Sequence, residues 1–201
     1  MGTMTDRIAT LIARAEQEGL LDVAYATVDS PVGMLTLAAT PKGLVRVSYS
    51  DTDRVLEELA GEISPRVLAA PARLDGVRRE LDEYFSGRRR DFDVAIDWSL
   101  VHTPFRRAVL ERTARIPYGQ TATYRDMAEA AGNRAAVRAA GTALGANPIP
   151  VVVPCHRVLR SGGDMGQYAG GVERKRYLLE LEQARPWTRV SDTRVHPPLR
   201  G

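Results

Sequence analysis

The residues with the clearest capacity for chemistry are Cys155 and His156, which are neighbours in the chain. Cys155 is the only cysteine among 201 residues, and it follows the apolar run 149–153 and Pro154. A thiol acts as a nucleophile in its thiolate form, and an imidazole beside it can take the proton. This pairing predicts a nucleophilic cysteine at the mouth of a buried pocket. The alternative is a packing residue, because free cysteines are often buried.

Three motifs with defined spacing surround this pair. The segment 147–158 reads Asn-Pro-Ile-Pro-Val-Val-Val-Pro-Cys-His-Arg-Val, and Gly-Gln-Tyr-Ala-Gly-Gly follows at 166–171. The segment 174–182 reads Arg-Lys-Arg-Tyr-Leu-Leu-Glu-Leu-Glu. Together these motifs resemble the active-site region of the O6-alkylguanine-DNA alkyltransferases. The resemblance is close over 104–182 and loose over the N-terminal half.

The resemblance implies a reaction for Cys155. The thiolate would accept the alkyl group of O6-alkylguanine, with O4-alkylthymine as a further substrate, and hold it as a thioether, so that each protein acts once. His156 would remove the thiol proton through a water molecule, and Glu182 would orient the imidazole and stabilise its charged form. Glu180 is the competing carboxylate, but the spacing from the glycine pair 170–171 favours Glu182.

The resemblance also assigns residues that position the substrate. Asn147 matches a hinge residue that ties the recognition helix to the active-site turn, although an ordinary Asn-Pro turn is the alternative. The implied catalytic set is Cys155, His156, Glu182, Asn147 and Tyr124. The implied substrate pocket is formed by Val158, Tyr168, Ala169 and Leu144. Ala169 stands where some members carry a serine, so a donor to the leaving oxygen depends on the backbone and on Tyr124.

A helix-turn-helix is predicted upstream of the cysteine. A helix capped by Thr123 ends at Gly132-Asn133, and a second helix is predicted over 134–145. This second helix carries mainly small side chains with Arg138 in its middle. It can therefore approach a groove closely but can read few base edges. The pattern predicts sequence-tolerant binding to the minor groove of double-stranded DNA, and a tightly packed core helix is the alternative.

An enzyme that acts on a base atom must take the base out of the duplex. The resemblance implies that Arg138 fills the vacated place in the stack and that Tyr124 helps to rotate the nucleotide by contacting its phosphate. Tyr124 has an alternative role as a half-buried aromatic residue. The implied DNA-binding residues are Arg138, Tyr124, Ala139, Gly141 and Thr142.

The charge distribution predicts two domains. Residues 1–102 carry 12 basic and 17 acidic side chains, whereas residues 103–201 carry 16 basic and 8 acidic ones. The basic half is the candidate for phosphate contacts, and an arginine-rich solvated surface is the alternative. We expect an N-terminal domain over 1–102 with a helical extension at 1–20. A C-terminal domain over 103–201 would end in an irregular tail at 186–201.

Element patterns predict the fold class. Strands are predicted at 23–28, 34–40, 44–49 and 92–96, with the first three as an antiparallel meander, and helices at 5–18, 54–63, 75–85 and 104–114. The expected architecture is an α/β N-terminal domain, ribonuclease-H-like by resemblance. A mainly α C-terminal domain, winged-helix-like with its helix-turn-helix, follows. The N-terminal half lacks the Cys and His set that binds zinc in some relatives, so neither a metal nor a cofactor is expected.

Composition limits the location and the partners. No apolar stretch approaches the about 20 residues of a membrane span, and no secretion signal is present. We expect a cytoplasmic protein that acts as a monomer, with clustering of copies along DNA as an alternative. Three other functions compete with alkyl transfer: a non-catalytic lesion-binding or signalling protein, a methylation-responsive regulator and a thiol hydrolase. Cys155 argues against the first, and a single cysteine argues against the metal-binding form of the second.

Overall fold

The computed structural model describes residues 10–12, 14–15 and 18–186. The N-terminal domain is built on a four-stranded sheet. The strands are β1 (Val23–Val28), β2 (Leu35–Thr40), β3 (Gly43–Ser48) and β4 (Val67–Ala69). Their order in the sheet is β3-β2-β1-β4. The first three strands form the predicted antiparallel meander, and β4 pairs in parallel with β1.

Two α-helices complete this domain. They are α1 (Thr52–Glu62) and α2 (Asp75–Phe85), and a 3₁₀ turn (Pro71–Leu74) leads into α2. Asp51 caps α1, because its side chain accepts hydrogen bonds from two backbone N–H groups of the first turn. The face of α2 that points inward carries the fully buried Tyr84.

The two faces of the sheet are covered by different elements. One face packs against α1 and forms a small separate cluster with Val23, Val45, Val55 and Leu59 among its members. The opposite face joins α2 and the helices of the C-terminal domain in one hydrophobic core, which includes Leu37, Leu81, Val109 and Leu178. A shared apolar core restricts relative domain motion. The sheet therefore serves as a rigid support for the C-terminal domain.

The C-terminal domain is mainly helical. Its helices are α3 (Pro104–Thr113), α4 (Tyr124–Ala130), α5 (Val137–Gly145) and α6 (Val172–Leu181). The short strands β5 (Gln120–Thr123), β6 (Val158–Leu159) and β7 (Arg185–Pro186) form a parallel sheet in the order β6-β5-β7. This architecture confirms the predicted α/β domain followed by a mainly α domain.

The helices α4 and α5 form the predicted helix-turn-helix. Thr123 and Asp126 cap α4 reciprocally, each side chain accepting the other residue's backbone N–H. Gly132 then turns the chain away with φ +89°. Helix α5 begins at Val137 rather than at the predicted position 134, because Asn133 organises a turn there. Its side chain and its carbonyl each accept a backbone N–H from the connecting residues.

Two features of the N-terminal domain differ from the prediction. The segment 92–96 is not a strand, since it makes only a single parallel bridge between Ile96 and Leu44. The backbone N–H of Asp93 donates instead to the carboxylate of Glu80 at 2.9 Å, so a side chain satisfies it. The strand β4 was not predicted. It has three residues and two of them are exposed, so it shows no burial pattern.

The predicted end segments lie partly outside the described residues. Of the predicted helix 5–18, residues 10–12 and 14–15 are helical, residue 18 lies in a turn, and the others lie outside the description. The predicted irregular tail lies outside it beyond residue 186. Across the described parts of the chain, every helix is too short or too polar to cross a membrane.

Candidate active site

Cys155 begins a 3₁₀ turn that follows a tightly folded segment, 147–153. Within this segment the N–H of Val153 donates to the carbonyl of Ile149 at 2.8 Å. Val151 has φ +73°, a conformation that β-branched residues rarely adopt and that costs about 1–3 kcal/mol. Val151 is fully buried, so the surrounding core holds it in place. The thiol of Cys155, which is 5% exposed, is therefore presented by a rigid turn.

Asn147 ties this turn to the thiol. Its Nδ2 donates to the carbonyl of Val153 at 2.8 Å and to Sγ of Cys155 at 3.1 Å. Its Oδ1 accepts the N–H of Ile149 at 3.0 Å. Asn147 is buried and follows α5 by two residues, so one side chain connects that helix to the sulfur. The hinge role that the resemblance implied for Asn147 stays a prediction, and these contacts are compatible with it.

Glu182 accepts hydrogen bonds from several directions in the interior. Its Oε1 accepts from Nε2 of His156 at 2.9 Å and from the hydroxyl of Tyr84 at 2.6 Å. Arg157 donates to both carboxylate oxygens at 2.8 Å. The backbone N–H of Gly119 completes the set at 3.3 Å. Because the side chains of His156 and Glu182 are both fully buried, this network is shielded from water.

Burial and hydrogen bonding set the protonation states of this network. Burial opposes ionisation of Glu182, but hydrogen bonds from His156 and Arg157 outweigh it and hold the pKa well below its usual range. Burial lowers the pKa of His156, so the ring is neutral at pH 7. An ionised carboxylate only accepts hydrogen bonds, so Nε2 carries the ring proton and Nδ1 is an acceptor. Within residues 18–186, this buried Nδ1 has no hydrogen-bond partner.

The thiol itself is held in its neutral form. Burial raises the pKa of Cys155, and the Asn147 hydrogen bond and the charge of Lys175 offset this only in part. Lys175 is buried and donates to the carbonyls of Val158 and Met165, and burial lowers its pKa to about 8. The cysteine therefore needs a base before it can react. In the described parts of the chain, no group of three or more His, Cys, Asp or Glu side chains could hold a metal ion.

The predicted pocket residues differ in burial. Val158 and Leu144 are core residues, whereas Tyr168 is half-buried and Ala169 is exposed. Burial raises the pKa of Tyr168 and also that of Tyr124. Both tyrosines pack against the hydrophobic cluster that contains Cys155, whereas Ala169 is exposed.

The outer face of α5 is open to solvent. Arg138, Ala139 and Thr142 are exposed there, and the hydroxyl of Thr142 donates to the carbonyl of Arg138 within the helix. Gly141 lies against Tyr124, since a Cβ added at this glycine would be 3.8 Å from the ring. The predicted DNA-binding residues therefore form a surface of small side chains with one long cation.

The sequence did not identify some residues of this site. Arg157 donates to the carbonyl of Ile116 at 2.5 Å. Its ion pair with Glu182 was not predicted, nor was the hydroxyl of Tyr84. Lys175 had a readable signal, because it lies three residues before the core residue Leu178 and so shares its helix face. Tyr84 had none, since it lies in the other domain.

Comparison with known proteins supports a single family. Residues 23–98 match the family model described as the 6-O-methylguanine DNA methyltransferase ribonuclease-like domain, and residues 104–184 match its DNA-binding domain. A methylated-DNA–protein-cysteine methyltransferase of Mycobacterium tuberculosis is 39% identical over 163 residues, which are 81% of this chain and 94% of that protein. The inducible methyltransferase of Bacillus subtilis is 40% identical over 150 residues, or 73% and 83% of the two chains.

Solved structures agree with this assignment. The Mycobacterium tuberculosis OGT in complex with DNA superposes with a TM-score of 0.70 and 38% identity, covering 80% of this chain and 92% of that one. The O6-methylguanine-DNA methyltransferase of Pyrococcus kodakaraensis has a TM-score of 0.56 and 25% identity, covering 81% and 99%. The three motifs around Cys155 lie inside the matched range 104–184. The chain therefore belongs to the 6-O-methylguanine DNA methyltransferase family.

Proposed function

We propose that this chain repairs O6-alkylguanine in DNA by transferring the alkyl group irreversibly, once per protein, to Sγ of Cys155. Methyltransferase action on O6-methylguanine in DNA is the function of the family to which the chain belongs. The observation that carries the proposal is a buried thiol, hydrogen-bonded by Asn147 and followed by a neutral His156 that is itself bonded to an ionised Glu182. This set provides a nucleophile and a base in one buried site.

The first step is removal of the thiol proton. With Nε2 bonded to Glu182, Nδ1 of His156 is the ring atom that takes this proton, through a bridging water. The carboxylate then stabilises the imidazolium that forms. Asn147 supports the thiolate, because its Nδ2 donates to Sγ at 3.1 Å.

The second step is displacement at carbon. The Sγ lone pair forms a bond to the alkyl carbon, the bond from that carbon to O6 breaks, and its electron pair leaves with the guanine. A hydrogen bond from Tyr124 or from a backbone N–H would stabilise the charge that develops on O6. The proton that His156 took from the thiol would then neutralise the guanine anion. The product is a thioether, which has no carbonyl for water to attack. Each protein is therefore consumed by one repair.

The open face of α5 supports the binding of double-stranded DNA. Small side chains at Ala139, Gly141 and Thr142 allow close approach to the minor groove without reading much sequence. Arg138 is long enough to fill the place of an extruded base. Tyr124 lies against α5 at Gly141 and donates to the carbonyl of Gln167 at 3.4 Å, and it would guide that base inward. We expect the repair of lesions in duplex DNA to depend on this face more strongly than the repair of the free alkylated base does.

The proposal places the reaction within one chain. We propose that the protein acts as a monomer, with clustering of copies along DNA as an alternative. We also propose that the chain divides into an N-terminal domain at 1–102 and a C-terminal domain at 103–201. We propose a cytoplasmic location, because a free thiol remains reduced there.

Intact-mass measurement tests the proposal directly. The protein is incubated with excess duplex DNA containing O6-methylguanine, and its mass and the mass of its peptides are then determined. We expect a gain of one methyl group, located on Cys155 and saturating at one per protein. Tight lesion binding without any mass gain would instead indicate a non-catalytic lesion-binding protein.

A further inference from the structure

A tyrosine of the N-terminal domain reaches the reacting site of the C-terminal domain. Tyr49 follows the end of β3, and its hydroxyl lies 2.9 Å from the hydroxyl of Tyr168. The two rings meet edge to face, with centroids 6.1 Å apart and an interplanar angle of 62°. Such contacts fix the orientation of both rings. The pocket wall formed by Tyr168 is therefore held from the other domain.

Two further residues hold this pair in place. The guanidinium of Arg174 lies 4.9 Å from the ring centroid of Tyr49 and donates to the carbonyls of Val32 and Gly170 at 2.6 and 2.8 Å. Gly170 leaves the space that the rings occupy, because a Cβ there would lie 2.7 Å from Tyr49 and 2.9 Å from Tyr168. The contact between Tyr49 and Tyr168 therefore depends on residues of both domains.

The pair packs against the core that contains Cys155. Tyr49 and Tyr168 are both partly buried against the hydrophobic cluster to which the cysteine belongs. Gln167, the residue before Tyr168, accepts a hydrogen bond from the hydroxyl of Tyr124 at 3.4 Å. Burial raises the pKa of both Tyr49 and Tyr168, so their hydroxyl groups stay neutral. The pair is therefore part of the structure that surrounds the proposed pocket.

We propose that Tyr49 is a positioning residue that locks Tyr168 as a wall of the pocket and so limits the size of the alkyl group that reaches Cys155. The inference rests on the proposed transfer reaction. A locked ring orients a small methyl group but excludes a bulky one. Loss of the lock frees the Tyr168 ring to rotate, which disorders a methyl group while it makes room for an aromatic one. The two substrates are thus affected in opposite directions.

The test compares two duplex probes that differ only in the alkyl group, O6-methylguanine and O6-benzylguanine. Single-turnover transfer is followed with the full-length protein, and rate is measured against protein concentration so that lesion binding and transfer are separated. The variants are Tyr49→Phe, which keeps the ring, and Tyr49→Leu, which removes it. The control is Tyr25→Phe, which alters a half-buried tyrosine of the same sheet that packs in the separate cluster beneath α1. Thermal unfolding is recorded for each protein.

We expect Tyr49→Leu to raise the ratio of benzyl to methyl transfer rates by about tenfold and Tyr49→Phe by about threefold, in the transfer step rather than in binding. Tyr25→Phe should leave this ratio unchanged. If both rates fall together, in proportion to lost thermal stability, Tyr49 only packs the domains together and the inference is wrong. If Tyr49→Leu does not fold, the ratio of benzyl to methyl transfer rates in Tyr49→Phe tests the inference. Wild-type protein that transfers neither group would refute the proposed function itself, a result distinct from an unchanged ratio.

Discussion

The network around Glu182 and the outer face of α5 serve the two halves of the proposed reaction, and they are built in opposite ways. Glu182 is fully buried and accepts hydrogen bonds from His156, Arg157 and Tyr84. On α5, by contrast, Arg138 and its small neighbours are exposed. Catalytic groups gain from fixed positions in a dry interior, whereas a surface that receives DNA must stay accessible. Disturbing the first region should therefore impair chemistry and folding, and disturbing the second should impair only the delivery of the base.

The largest expected effect comes from Cys155→Ser. A hydroxyl ionises far less readily than a thiol, so transfer to the protein should fall below detection. The variant should still bind lesion DNA, since the outer face of α5 is untouched. Peptide mass and a gel-shift assay measure the two properties separately. Methyl transfer that persists in this variant would mean that the nucleophile is a different residue.

Glu182→Gln should damage both chemistry and folding. It removes the carboxylate that orients His156 and leaves the buried Arg157 without its counter-charge, which costs about 3–5 kcal/mol of unfolding free energy. Transfer should slow by about a hundredfold, because the imidazole loses its orientation and its support as a cation. Urea denaturation and single-turnover kinetics provide the measurements. The matched control is Glu180→Gln on the exposed side of the same helix, which should change neither property.

Arg138→Ala tests the exposed outer face of α5. Loss of the side chain that fills the stack should slow repair of duplex DNA by about tenfold to a hundredfold, with less effect on the free alkylated base and no change in stability. Arg79→Ala removes the same charge from an exposed site on α2 and serves as the control. Equal slowing with duplex DNA and with the free base would show that Arg138 does not fill the place of the extruded base.

The smallest expected effect is the response to acid. The pKa of His156 lies below its ordinary 6.5, so the unfolded state takes up a proton first as the pH falls through that value, and the unfolding free energy decreases. The pKa of Glu182 lies below its ordinary 4.5, so a second loss follows below about that pH. Transfer should persist somewhat below pH 6.5 and then decline as the folded imidazole is protonated. Urea titrations across this range check the profile.

The exposed His102 supplies the control for the acid response. The variant His102→Gln should keep the wild-type dependence of stability on pH, because its side chain is 64% exposed and its contact with Glu62 at 3.7 Å is an exposed ion pair, which contributes little to stability. If the variant lacks the decrease in unfolding free energy near pH 6.5, that decrease comes from His102 and not from the buried network.

Sequence reasoning succeeded where the signal was local. The strands β1 to β3 and the helix-turn-helix followed from periodicity, turn residues and caps such as Thr123. It failed over 92–96, where the alternation of a strand was present but the partner was not. There Asp93 bonds to a side chain of α2 instead of to a neighbouring strand. Pairing across a sheet depends on the neighbour as well as on the segment, so local alternation alone does not decide it.

From the sequence by itself, the resemblance of the motifs at 147–158 and 174–182 to the alkyltransferases predicted the reacting set of Cys155, His156, Asn147 and Glu182, because these motifs are continuous segments of the chain. Only the tertiary structure decided that Tyr84 and Tyr49 join the site. They are 98 and 119 residues from the side chains that they contact, Glu182 and Tyr168. The physical reason is that these contacts arise from the packing of the N-terminal domain against the C-terminal helices. Single hydroxyl groups brought together in this way leave no periodic pattern in either domain.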